Sequence, residues 1–161
     1  MDKQQQSQKT QLYPARNGDP YLKPPRNGVA LCPECGVIYQ QGRWAWQDAA
    51  PSAAQSVVCP ACQRIADDQP AGTLQLSGNF LGEHRDEILN LIHNTEQSEK
   101  AQHALERLLR ISEQDDGMQA TTTGLHLANR IGHALGAAYK GRIEYSYSED
   151  EHHVDIHWHR D

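Results

Sequence analysis

The chain has 161 residues, 37% of them hydrophobic, and a formal net charge of −6 at neutral pH. That length suits one ordinary domain or two small ones, and the low apolar fraction excludes a large core. No apolar run reaches the roughly 18 residues of a membrane-spanning helix, and the acidic balance argues against indiscriminate nucleic-acid binding.

The opening residues are polar, beginning MDKQQQSQK, and show no cleavable leader pattern, so a soluble cytoplasmic protein is the expectation. Charge is unevenly spread. Residues 1–30 carry Lys3, Lys9, Arg16, Lys23 and Arg26 against Asp2 and Asp19, whereas residues 83–161 hold 15 acids and 8 bases, a net −7. The basic stretch is an arm at the front of an otherwise acidic chain.

In chain order, residues 1–27 lack periodicity and contain Pro14, Pro20, Pro24 and Pro25 among Gln, Asn and Gly. Such a segment buries too little apolar surface to offset its ordering entropy, and it reads as a flexible basic arm. Residues 28–78 form a cysteine segment, expected to hold short strands and turns rather than helices. Residues 79–161 read as an α+β domain. In HRDEILNLIHNTEQSEK, Ile88, Leu91, Ile92 and Thr95 share one side at helical spacing, which predicts a helix over about 82–100.

LERLLRISEQDDGMQATTT predicts a hairpin, with Asp116-Gly117 as the turn and Met118, Ala120 and Thr122 alternating after it. Thr123 is placed to cap the next helix, GLHLANRIGHALGAAY, and Gly141 to end it. Ala128, Gly132 and Gly136 leave a flat stripe on that helix, for a sheet beneath it or for an external partner. RIEYSYSEDEHHVDIHWHR predicts a second hairpin. With Glu149-Asp150 at its turn, Tyr145 opposes Val154 and Ile143 opposes Ile156. The order αββαββ predicts a four-stranded antiparallel sheet with two helices on one face.

Cys32-x2-Cys35, a gap of 23 residues, then Cys59-x2-Cys62 is the spacing of a zinc ribbon. A turn with two residues between thiolates aims both sulfurs at one ion, and two such turns complete a tetrahedron. Pro33 and Pro60 stiffen these turns, and Gly36 lets the chain leave the first with positive φ. Four thiolates leave no position for water or substrate. One structural zinc per chain is therefore expected, contributing on the order of 10 kcal/mol to folding. The alternatives are a redox pair or unconnected thiols. Redox CxxC pairs stand at the helix start of a βαβ unit, and neither pair is predicted to do so.

CPECGVIYQQGRWAW, CPACQRIADDQPAGTLQLSGNF and TTTGLHLANRIGHALGAAYKGRIEYSY together resemble a group of small bacterial zinc-ribbon proteins of uncharacterised function, over about residues 28–161. More distantly they are similar to the adaptor that escorts the large ribosomal subunit from the eukaryotic nucleus and to its archaeal counterparts, the nonsense-mediated-decay-three family. The resemblance implies a noncatalytic protein that docks on ribosomal RNA or ribosomal protein through its ribbon and the α+β domain. This chain departs from that adaptor at its last strand, where His153, Asp155, His157 and His159 stand in place of basic residues.

Trp44 and Trp46, with Arg43 and Arg64, can stack on unpaired bases, or the tryptophans can cover the zinc turns as a miniature core. His153, Asp155, His157 and His159 form a period-2 stripe that is either a second metal site or a solvated face. There is no GxxxxGK phosphate loop, and Ser112, Ser146 and Ser148 lack a nucleophile elbow, so no enzyme is expected. The leading expectation is a zinc-ribbon adaptor binding an RNA-containing partner, the ribosome foremost, through Arg16, Lys23, Arg26, Arg43, Trp44, Trp46 and Arg64. A protein–protein adaptor using the acidic α+β domain, or a metal-dependent enzyme using the histidine stripe, are the alternatives.

Overall fold

In a computed structural model the described residues are 19–26 and 28–161. The cysteine segment builds a small sheet from β1 (Ala30–Leu31), β2 (Ile38–Gln40), β3 (Arg43–Ala45) and β4 (Gln55–Ser56), in the order β3-β2-β1-β4. β2 pairs antiparallel with β1 and β3, and β4 lies parallel to β1. Strands of two or three residues cannot close a core of their own, so this sheet depends on what its turns enclose.

Helix α1 (Pro60–Asp67) follows, a correction to the expectation that the cysteine segment is free of helices. Cys59 is its N-cap and Pro60 its first residue, where the fixed φ suits a helix and the missing N–H costs nothing. The proline read as a turn stiffener is a helix start. Residues 19–22, assigned from sequence to the arm, dock on this helix. Pro20–Leu22 is a 3-10 turn, the Tyr21 hydroxyl donates to Asp67 at 2.8 Å, and Arg64 pairs with Asp19 at 3.1 Å.

The second sheet has five strands, not four, and is mixed rather than antiparallel. It comprises β5 (Gly72–Ser77), β6 (Leu108–Gln114), β7 (Gly117–Thr122), β8 (Arg142–Tyr147) and β9 (Val154–His159), in the order β6-β7-β5-β9-β8. Both expected hairpins are present, β6-β7 and β8-β9, but the first turns at Asp115-Asp116, one residue earlier than expected, because Gly117 already pairs with Gln114 as the first residue of β7. They do not meet, because β5 lies between them, antiparallel to β7 and parallel to β9. The extra strand is GTLQLS, in which Gly72, Leu74 and Leu76 are buried and the residues between them only half so. Its alternation is a strand signal within the residues that the sequence assigns to the cysteine segment.

One face of this sheet is covered by α2 (Asn79–Glu83), α3 (Arg85–Gln102) and α4 (Leu125–Tyr139). The helix expected over 82–100 is interrupted at His84, whose ring stacks on Phe80 with centroids 3.8 Å apart. Ile88 and Ile92 from α3, Leu127, Ile131 and Leu135 from α4, and Leu74, Met118, Ile156 and Trp158 from the strands form one core. A sheet does lie beneath the small-residue stripe of α4: a Cβ at Gly132 would come within 3.2 Å of Ile143 and 3.4 Å of Ile156.

Two further local expectations are corrected. Thr123 does not cap α4, because its hydroxyl donates to the Leu105 carbonyl at 2.6 Å and accepts the Arg107 N–H at 2.9 Å. The second hairpin is displaced: Tyr145 opposes Ile156 and Ile143 opposes Trp158. Its loop centres one residue later than Glu149-Asp150, with Glu151 at φ 60 and the Ser148 N–H bonded to the His153 carbonyl. The shift moves partners by two places, so apolar residues still face apolar ones. Among the described residues no helix is long and apolar enough to cross a membrane.

Gly78, between β5 and α2, has φ +108, and a Cβ there would lie 1.9 Å from the Arg160 carbonyl oxygen. Left-handed strain and a backbone clash combine at this point. Gly78→Ala is therefore expected to lower stability by roughly 3 kcal/mol, read as a lower urea midpoint with an unchanged slope.

Candidate metal centre

The two CxxC turns reach one point by different local means. After Cys32 the chain folds back, with the Cys32 N–H donating to Val37 at 2.9 Å and the Gly36 N–H to Cys32 at 2.9 Å. Gly36 has φ 85, the left-handed conformation expected of it. The second pair uses the start of α1, so that Cys59 and Cys62 project from the cap and the first turn. All four sulfurs lie within 4.8 Å of one another.

The spacing fits an ion. Tetrahedral thiolate coordination with bonds of about 2.3 Å places sulfurs about 3.8 Å apart, and Cys35 Sγ lies 3.8 Å from Cys59 Sγ. Backbone N–H groups point at the sulfurs, Cys59 N to Cys32 Sγ at 3.3 Å and Cys62 N to Cys59 Sγ at 3.4 Å. Cys32 and Cys59 are buried, in a small cluster with Val37, Ala61 and Ala104. These four cysteines can hold a metal ion, and as a set they leave no open coordination position.

Burial opposes ionisation of Cys32, yet amides of Cys59, Cys35 and Glu34 donate to its sulfur and bring its pKa down to about 7. Burial pushes the Cys59 and Cys62 thiols up. A cation must therefore accompany this cluster if all four are to be thiolates.

Part of that charge comes from Arg107, a residue the sequence reading overlooked. It is 6% exposed, and its guanidinium donates to Cys35 Sγ at 3.2 Å, Cys62 Sγ at 3.4 Å and Cys59 Sγ at 3.7 Å. Nε donates to the Ala104 carbonyl at 2.9 Å. Burial disfavours its charge, but the bonding to Cys35 and the charges of Cys59 and Cys35 outweigh that and raise its pKa. No sequence signal marks it, since Arg107 stands 72 residues from Cys35 and 45 from Cys62.

The other expected residues separate into groups. Trp44 packs against the cysteine cluster and meets Tyr39 edge-on at 5.3 Å. Trp46 lies 5.3 Å from the Arg107 guanidinium and donates to the Lys100 carbonyl at 2.9 Å, closing the site toward α3. Both tryptophans thus surround the centre. Arg64 is engaged internally, with Asp19, the Tyr21 ring and the Gln69 carbonyl. Lys23 and Arg43 line a shared groove with Tyr39 and Trp44, and Arg26 is outside that lining. Arg16 lies outside the described residues.

The histidine stripe is not drawn into a group of three donors around one point. His153 contacts the Pro70 carbonyl, Thr73 and Asp155, and His159 contacts Ser77 and Asp161.

Replacing Arg107 by Met removes the donors to three sulfurs while keeping a long apolar stem. Loss of groups that support metal ligands typically costs 10–100-fold in affinity. R107M is expected to lose its ion to a chelator at about 10–100-fold lower chelator concentration, measured by release of bound metal.

No protein-family model matches the chain, and no curated protein matches it in sequence.

Proposed function

We propose that the chain is a noncatalytic adaptor in which Cys32, Cys35, Cys59 and Cys62 hold one structural zinc ion and the ribbon docks on an RNA-containing partner, the ribosome. Four soft thiolates in a closed tetrahedron favour zinc among the common ions. The noncatalytic reading is supported by Cys59, which starts a helix as a redox cysteine does but is wholly buried, with its thiol pushed up. A redox nucleophile needs both exposure and a lowered pKa, and Cys32, whose thiol is brought down, is buried as well.

The observation that carries the RNA reading is the groove of about 440 Å³ between the docked 19–26 segment, the β2-β3 hairpin and residues 102–106. Lys23 and Arg43 bring positive charge to a wall that also holds the rings of Tyr39 and Trp44. Cations beside aromatic faces suit unpaired nucleotides, whose phosphates and bases want both. Residues 102–106 of the acidic larger part close the groove, and Glu106 is the acidic side chain in its lining. The distant likeness of the paired CxxC motifs, and of the helix leading through Gly141 into a hairpin, to a ribosome-docking adaptor family points the same way.

Co-sedimentation with purified ribosomal subunits is the test. Binding is expected at low salt and should fade as salt rises. Each lost phosphate contact on single-stranded RNA lowers the salt slope by about 0.7, so K23A/R43A should flatten it by about 1.4. Absence of co-sedimentation at low salt removes the proposal. Capture of a basic protein that survives nuclease would favour the protein-adaptor reading instead.

A further inference from the structure

We propose that Glu99, His103 and His126 form a second metal site, for a first-row divalent transition ion, where the end of α3 meets the start of α4. One donor atom from each lies within 4.8 Å of the other two. Glu99 lies in the last turn of α3, His103 is the C-cap of that helix four residues on, and His126 comes from the first turn of α4. The His126 Nε2 is 2.7 Å from Glu99 Oε1, and the two imidazoles meet edge-on with centroids 4.9 Å apart. Donors around an ion with bonds near 2.0–2.1 Å stand roughly 3–3.5 Å apart, so side-chain adjustment suffices to close the group.

A plain ion pair accounts for less of this. Glu99 pairs with His126, and its Oε2 accepts from Arg130 Nε at 3.3 Å, but neither contact requires His103. Glu106 is a second carboxyl close enough to interact with His103, His126 and Glu99; burial raises its pKa, and a bound cation would favour its ionised form, while Arg130 supplies opposing positive charge. A cation at a helix N-terminus is normally disfavoured. Here Glu106 Oε1 accepts the Leu127 N–H at 2.8 Å and offsets that end of α4, while Glu99 and His103 belong to the favourable C-terminal end of α3.

Two imidazoles and one carboxylate select iron, cobalt, nickel or zinc over magnesium or calcium. Three protein donors leave coordination positions open, unlike the thiolate cage. His126 is 48% exposed at its side chain and also lines a cavity of about 390 Å³ with Glu106, Arg64 and His152. The Nε2 of His152 is buried without a hydrogen-bond partner.

The experiment uses the full chain with its four-cysteine centre filled, titrated calorimetrically with Ni²⁺. One further saturable equivalent is expected, weakened at least tenfold in H103A/H126A. Cobalt-substituted protein keeps the readouts apart, because the thiolate charge-transfer band should be unchanged in that variant. H103A alone is the milder substitution and should also weaken binding. The proposal is overturned if no second equivalent binds, if H103A/H126A binds as wild type does, or if H157A/H159A abolishes the second equivalent instead.

Discussion

A buried guanidinium and a nest of thiolates are each costly alone, and here Arg107 is placed against three of four clustered cysteine sulfurs. Removing a single charge from water costs several kcal/mol even after relaxation. At about 4 Å and an effective dielectric near 20, each unit of opposite charge returns on the order of 4 kcal/mol. A divalent ion in four thiolates carries net −2, and Arg107 brings it to −1. With such an ion bound, it and the arginine together would make the cluster tolerable in an apolar setting. Since the sulfurs come from the ribbon and the arginine from the larger layer, this contact also fixes how the two pack.

The link between α3 and β6, residues 103–107, is where that packing is organised. Its backbone is pinned by Thr123, which accepts the Arg107 N–H, donates to the Leu105 carbonyl, and returns its own N–H to the Arg107 carbonyl at 2.8 Å. Thr123 is thereby unable to cap α4, and Glu106 from the link takes that place. Arg107 then enters the cysteine cluster, Ala104 joins its apolar wall, and His103 turns toward His126. Five consecutive residues thus couple the thiolate centre, the basic aromatic groove and the Glu99 cluster.

Much of this was legible where chemistry is local. The cysteine spacing announced one shared centre because a two-residue turn constrains both sulfurs. Alternation in Met118, Ala120 and Thr122 marked a strand, and the stripe of α4 marked its buried face. The same local rules failed at α1, where Cys-Pro suits a turn or a helix start equally well. They also failed at GTLQLS, whose six residues form a strand of ordinary length but lie between a helix and a glycine without a hairpin partner nearby in sequence.

From the order of residues alone followed the gathering of the four cysteines, both hairpins, two main helices and the acidic character of the larger part. Those features rest on interactions spanning a few residues, on spacing, or on charge. What awaited the folded chain was the central position of β5, the identity of the cap on α4, and every contact of Arg107 and His126. Each joins segments far apart in sequence, and no periodicity records which distant side chain will supply a missing charge or donor.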